Sequence, residues 1–189
     1  MKLFRSTVKQ WLPLAVAITL LCAVIYIPIQ QVYRMNANDP QIQVAEDTAR
    51  ALEAGKSPQT VIPSQPVELS QSLGMVVMVF STDGKLLATN ASLHGNAPVL
   101  PAGVLDEARK TGENRVTWQP ESGVRSAIVI VSVKGVPGGY VVAGRSLREV
   151  ELRVDSLTQM ILLGWVGTLF ATLLAVIVLE LLPFTRTKE

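Results

Sequence analysis

The sequence predicts an α+β domain placed between two transmembrane helices. Two apolar runs, 11–29 and 158–183, lie near the ends of the 189-residue chain, and each is long enough to cross a bilayer. Between them, short apolar segments bounded by Gly, Pro, Asn and Asp are typical of β-strands. Helical periodicity before the strands predicts a sheet with helices packed against one face.

The first apolar run follows a cationic start. Residues 1–10 carry Lys2, Arg5 and Lys9 and no acidic residue. A cleaved signal peptide would begin in the same way, but this run is long and no small-x-small cleavage site follows it. We therefore expect an uncleaved transmembrane helix at 11–29, with cleavage as the alternative.

Positive charge also follows the second run, at Arg186 and Lys188. By the positive-inside rule, cations at both ends predict that both termini are cytoplasmic. Residues 30–157 would then form an extracytoplasmic domain of a two-pass protein in the inner (plasma) membrane. The tail 184–189 is too short to fold as an output module.

The outer domain is predicted to open with a helix. Asp39 is a suitable N-cap, Pro40 fits the first helical position and Gly55 is a stop signal. The segment 56–66 contains three prolines and is interpreted as a linker.

Five strands and one short helix are expected after the linker. Asp83 and Gly84 predict a tight hairpin between the first two strands. The segment 90–100 is expected to be irregular, and 101–111 to be helical. The predicted strands are 75–81, 86–89, 115–118, 124–133 and 140–144. A five-stranded antiparallel sheet is the simplest arrangement for this order.

A long helix is predicted over 146–182. Ser146 and Glu149 form a capping box at its start. Small residues at helical spacing in its apolar half allow close approach of another helix. The predicted helix-pairing residues are Gly164, Gly167, Thr168, Ala171 and Ala175. Their partner would be a second copy or the first apolar helix, in which Ala15, Thr19 and Ala23 have similar spacing.

Two stretches resemble a known family. The hairpin MVVMVFSTDGKLLATN (75–90) and the segment GGYVVAGRSLREVELRV (138–154) are similar to the opening hairpin and the exit helix of extracytoplasmic PAS/Cache-like sensor domains. Such domains belong to bacterial two-component sensor kinases and chemoreceptors. The resemblance covers about 30–183 and implies a PAS-like sheet. The family's enzymatic activity is not carried over, because no output module follows.

The resemblance also implies a pocket between the sheet and the irregular segment beside it. By position, His94, Trp118, Arg125 and Tyr140 are candidate ligand-binding residues. A fixed positive charge and aromatic surfaces suit a small molecule. The alternative is that the two aromatic residues belong to the core and that Arg125 lies on a sheet face.

Enzymatic chemistry has little support in the sequence. His94 stands in a Gly/Asn/Pro loop without a nucleophile motif, and a middle domain with no Cys and one His lacks a Cys/His metal cluster. We expect no enzyme activity, cofactor or metal site. The net charge of +2 with no basic stripe also argues against nucleic acid.

Two polar residues have competing interpretations. Glu180 lies within the second apolar run, where an acid is a functional candidate, but it is close enough to the end of the run to reach headgroups. Asn90 begins an Asn-x-Ser sequon, a short match that arises by chance.

The sequence thus predicts a membrane-anchored extracytoplasmic sensor or binding protein that signals through helix pairing. Its partner would be a second copy, giving a homodimer, or a separate membrane signalling protein, and a small-molecule ligand is possible. The alternative is a structural envelope scaffold or assembly subunit whose outer domain binds protein and no small ligand.

Overall fold

The computed structural model describes residues 2–36, 39–101, 103–135 and 138–182. The chain divides into two units, Arg34–Leu152 and a second one made of Met1–Tyr33 with Arg153–Glu189. The predicted tail 184–189, with the cations that support the cytoplasmic placement of that end, lies outside the described residues.

The first unit contains an α+β fold with a five-stranded antiparallel sheet, as the sequence predicts. The strands are β1 (Val67–Glu68), β2 (Val76–Phe80), β3 (Leu86–Thr89), β4 (Ala91–Ser92), β5 (Glu113–Glu121), β6 (Val124–Val133) and β7 (Gly139–Ser146). The helices are α1 (Lys2–Asn36), α2 (Asp39–Glu53), α3 (Pro58–Val61), α4 (Val104–Thr111) and α5 (Arg148–Leu181). The main sheet has the order β3-β2-β7-β6-β5, so β7 is its central strand.

Helices cover both faces of the sheet, which differs from the one-sided arrangement predicted. On one face Val77, Val129 and Val141 pack with Ala45 and Ala49 of α2. The uninterrupted apolar run of β2 is explained by this arrangement, since all five of its residues are buried.

The opposite face of the sheet carries the second apolar cluster. Met78, Ile128 and Val142 lie there with Trp118 and with Ala108 of α4, and all five are buried. Burial of each large apolar side chain contributes roughly 1.5–3 kcal/mol. The sheet is therefore held from two sides.

The hairpin between β2 and β3 forms where the sequence predicts it. The backbone N–H of Ser81 donates to the carbonyl oxygen of Lys85 at 2.9 Å, and Gly84 adopts a φ of +80°. Asp83 does not share the positive φ, so Gly84 alone supplies the left-handed residue of this turn.

The structure contains three short elements that the sequence pattern does not predict. Helix α3 lies in the predicted linker, and β1 and β4 form a parallel two-stranded ladder. Strands of two residues leave no periodic pattern in a sequence. The ladder is formed by tertiary hydrogen bonds, such as the 2.8 Å bond from the Val67 N–H to the Asn90 carbonyl oxygen.

Helices α1 and α5 are both long and apolar enough to cross a membrane. An 18-residue stretch of each has a mean hydropathy of 2.5 and 2.4, respectively. This composition is compatible with a two-pass membrane protein. Helix α5 begins two residues later than predicted, and the hydroxyl of Ser146 accepts from the N–H of Arg148 at 3.3 Å. This contact stands in place of the predicted one with Glu149.

Candidate ligand site and helix-pairing face

A cavity of about 510 Å³ lies on the α4 side of the sheet. Its walls come from the edge of β2 and β3, the start of β7, helix α4 and the segment 97–101. The lining includes Phe80, Leu86, Leu100 and Leu105, with polar groups at Arg109 and Tyr140. A mainly apolar lining with a few fixed polar groups, at this volume, is typical of small-molecule sites.

Arg109 and Tyr140 form the polar centre of this cavity. The Arg109 Nε–H donates to the Tyr140 hydroxyl at 2.6 Å, and Nη2 donates to the carbonyl oxygen of Thr82 at 2.9 Å. The hydrogen bond to Tyr140 raises the pKa of Arg109, with a smaller charge interaction between the same two groups. The guanidinium is thus held in one orientation, as recognition of a planar polar group requires.

Helix α4 brings Arg109 to this place. Gly103 and Gly112 flank the helix with φ values of +86° and +89°, and the Gly112 N–H donates to the Ala108 carbonyl oxygen. Arg109 follows Leu105 by one helical turn, so both residues project from the same side into the cavity. Capping glycines therefore fix the length of the helix that presents the cation.

Carboxylates stand beside the cation at the cavity. Asp106 Oδ1 lies 3.9 Å from Arg109 Nη1, and Asp83 lines the same cavity. A hydrogen bond from the Ser81 side chain, followed by the backbone of Asp83 itself, lowers the pKa of Asp83. One cation and two anions beside an apolar wall suit a ligand with both an apolar part and polar groups.

The four sequence-predicted ligand residues lie in different places. Tyr140 lines the cavity, whereas Trp118 is 3% exposed and lies in the apolar core beside the sheet. The His94 ring bonds to Glu121, and Arg125 Nη1 donates to Glu151 Oε1 in the first turn of α5. The structure therefore brings one of the four to this cavity, and a ligand role for all four stays a prediction.

Arg109 lies in the predicted helix 101–111 but is not among the ligand-binding residues expected from the sequence. The available signal was an Arg one turn after Leu105, which puts a charge on the apolar side of a short helix. The partner that Arg109 contacts depends on the order of the strands in the sheet, and no local sequence pattern shows that order.

The unit formed by α1 and α5 is held by side-chain hydrogen bonds along its length. Trp11 Nε1 donates to the Leu169 carbonyl oxygen at 3.1 Å, and Trp165 Nε1 donates to the Thr19 hydroxyl at 3.0 Å. Farther along, the hydroxyl of Tyr26 lies 3.0 Å from that of Thr158. The two helices are therefore antiparallel and in a defined register.

Glu180 is part of the same contact. Its carboxylate accepts from the Thr7 hydroxyl at 2.6 Å and from Gln10 Nε2 at 3.3 Å. The Glu180 side chain therefore contacts the first turns of α1, in addition to the two interpretations that the sequence leaves open.

The predicted helix-pairing residues lie on another face of α5. Gly164, Gly167, Thr168, Ala171 and Ala175 are all exposed. Helix α1 instead packs on the side of Trp165 and Thr172, where its own Ala15 is buried. No other described part of the chain covers the small-residue face, and its pairing role stays a prediction.

Among the residues that the structure describes, no group of three or more His, Cys, Asp or Glu side chains is placed to hold a metal ion. Comparison of the chain with protein-family models and with curated proteins returns no match.

Proposed function

We propose that this chain is a membrane-anchored extracytoplasmic sensor with a PAS-like ligand domain and no catalytic role. The observation that carries the proposal is the path of β7. The second residue of this central strand, Tyr140, lines the cavity, and the strand ends at Ser146, two residues before α5. A ligand that moves Tyr140 therefore acts on the strand that leads directly into α5.

Contacts at the far end of β7 support the same proposal. The Leu147 N–H donates to the Arg125 carbonyl oxygen at 2.9 Å, and the Arg125 guanidinium pairs with Glu151. Arg148 Nη2 also donates to the Gln71 carbonyl oxygen at 3.2 Å. The first turn of α5 is thus tied to the sheet, so that a shift of β6 or β7 is passed to the helix.

A ligand screen tests this function. The full chain in detergent is heated with single metabolites, and a compound that binds the folded state raises Tm. At a hundredfold excess over Kd the gain is about 2.7 kcal/mol, which corresponds to several degrees. Arg109→Gln should abolish the shift. Lys110→Gln is the matched control, because it removes the neighbouring cation, which does not line the cavity.

A compound whose effect is unchanged in Arg109→Gln binds elsewhere, which contradicts the assignment of the cavity. A library in which no compound raises Tm would favour the scaffold function instead.

In this proposal α5 transmits by pairing with a second copy through its exposed small residues. The matched pair of variants is Ala171→Leu, on the small-residue face, and Val166→Leu, at another exposed position. Ala171→Leu should weaken self-association in nanodiscs and Val166→Leu should not, because bulk prevents close helix approach only at the interface. Equal association of both variants would leave α5 as an anchor only.

The proposed topology has both termini in the cytoplasm. In a Cys22→Ser background, Gln59→Cys should react with a membrane-impermeant thiol reagent in intact spheroplasts. Lys9→Cys should react only after lysis. Labelling of both before lysis, or of neither, would contradict the proposed placement.

A further inference from the structure

The segment that forms one wall of the cavity follows His94, which contacts two acids, Glu68 of β1 and Glu121 of β5. Residues 97–101 line the cavity, and they follow His94 by three positions. His94 lies in a turn in which Leu93 and Asn96 exchange two backbone hydrogen bonds, of 2.8 and 3.1 Å. The position of His94 therefore determines where this wall begins.

The backbone at His94 is held by Glu68. His94 adopts a φ of +52°, which is uncommon for a residue other than glycine. The carboxylate of Glu68 accepts from the His94 N–H at 2.9 Å, from Ser92 at 2.8 Å and from Ser70 at 3.0 Å. A strained residue held by several contacts is characteristic of functional segments.

The His94 ring makes a second attachment. Nε2 lies 2.8 Å from Glu121 Oε2 at the end of β5, and the two side chains are 64% and 36% exposed. The titratable groups that face the ring are Glu121 from β5 and Glu68 from β1, and both are acids. The hydrogen bond and charge of Glu121 raise the pKa of His94 above its usual 6.5, while partial desolvation opposes the shift.

We propose that His94 and Glu121 form a proton-dependent latch that fixes the cavity wall 97–101 when His94 is charged and loosens it when His94 is neutral. Because the histidine gains its partner in the folded state, the stabilising contribution of the charged pair is complete below pH 6.5 and is lost as pH rises through the higher folded-state pKa. An extracytoplasmic domain meets such pH changes, and His is the side chain suited to report them.

The latch acts on the cavity wall, so its biological role rests on the proposed ligand-binding function of that cavity. Its test contains no ligand, so a failed ligand screen and a failed latch are separate results. The chain has one histidine, so a tag without histidine leaves His94 as the only imidazole of this protein to titrate.

The test uses the full chain in nanodiscs with Cys22→Ser and a nitroxide at Val99→Cys, a position that is 83% exposed in the wall segment. The mobile fraction of the label should rise about two- to fivefold from pH 5.5 to 8.5, the factor for an exposed ion pair. A label at Gln59→Cys is the matched control and should stay constant.

His94→Gln keeps a neutral donor for Glu121 and should make the Val99 profile flat, and Glu121→Gln should remove most of its amplitude. Proton NMR of the imidazole gives the midpoint, which should lie above 6.5 and fall in Glu121→Gln. The proposal is overturned if the mobile fraction of the Val99 label does not change with pH, or if its pH profile is unchanged in His94→Gln. Far-ultraviolet circular dichroism confirms that each variant is folded.

Discussion

Asn90 connects three parts of the sheet domain, and its removal should destabilise the fold strongly. The side chain is 9% exposed at the junction of β3 and β4. Its Oδ1 accepts from the Val77 N–H at 2.8 Å, while Nδ2 donates to the carbonyl oxygens of Gln65 at 3.1 Å and Met75 at 3.0 Å. Asn90→Ala removes all three bonds.

The magnitude follows from the two kinds of loss. Each bond made by Nδ2 contributes about 1 kcal/mol, and a buried Val77 N–H without its acceptor costs a further 1–3 kcal/mol or so. We therefore expect Asn90→Ala to lower the free energy of unfolding by about 3–5 kcal/mol. That is a large part of the stability of an ordinary domain.

Urea denaturation of the full chain in detergent, followed by circular dichroism, measures this change. Asn96→Ala is the matched control, since Asn96 is exposed and makes one side-chain bond of 3.3 Å to the His94 carbonyl oxygen. The control should stay within about 0.5 kcal/mol of the parent chain. Equal effects of the two variants would show that the Asn90 contacts do not hold the fold.

Asn90→Asp refines the same prediction. A carboxylate in this place still accepts from Val77, but its second oxygen faces the carbonyl oxygens of Gln65 and Met75. At neutral pH the variant should be less stable than Asn90→Ala, because a charge is desolvated and opposed by two acceptors. Protonation restores a donor, so its stability should recover as pH falls. A pH-independent difference between the two variants would contradict this account.

Two further predictions concern backbone space and acid sensitivity. Gly139→Ala should lower the free energy of unfolding by about 2–6 kcal/mol, since its φ is +137° and a Cβ would lie 2.3 Å from the Phe80 carbonyl oxygen. Gly123→Ala should lower the free energy of unfolding by only about 1–2 kcal/mol, because Gly123 has a φ of +83° but open space around a Cβ. Thermal denaturation of both variants shows which loses more stability. The His94 N–H and then Ser92 lower the pKa of Glu68 to about 2, so its contribution to stability is present above pH 4.5 and lost as pH falls towards 2. The Tm difference between the parent chain and Glu68→Gln should shrink over that range.

The sequence predicted the elements that depend on local pattern. Helix α2 is present at Asp39–Glu53, as predicted from Pro40 and Gly55, and β3 has the predicted bounds. The hairpin follows from Gly84, because few other residues adopt its φ of +80° at low cost. Such signals need no knowledge of distant parts of the chain.

The candidate site needed information that the sequence does not contain. Arg109 meets Tyr140, 31 positions away, only because β7 lies between β2 and β6 in the sheet. The sequence predicts no structural role for the Asn90 side chain, yet its buried amide contacts two carbonyl oxygens. Both roles arise from strand order.

The two apolar helices show the same division. Their length and composition are read directly from the sequence, because each run is continuous and nearly free of charge. Which side of α5 meets α1 was decided by Trp165 and Glu180, whose side chains find donors or acceptors on α1 that exist only in one antiparallel register. The sequence by itself determined the longer helices and strands and the two apolar spans, because those depend on near neighbours. The tertiary structure alone decided the ladder of β1 and β4 and which distant polar groups meet, because these contacts join residues far apart in the chain.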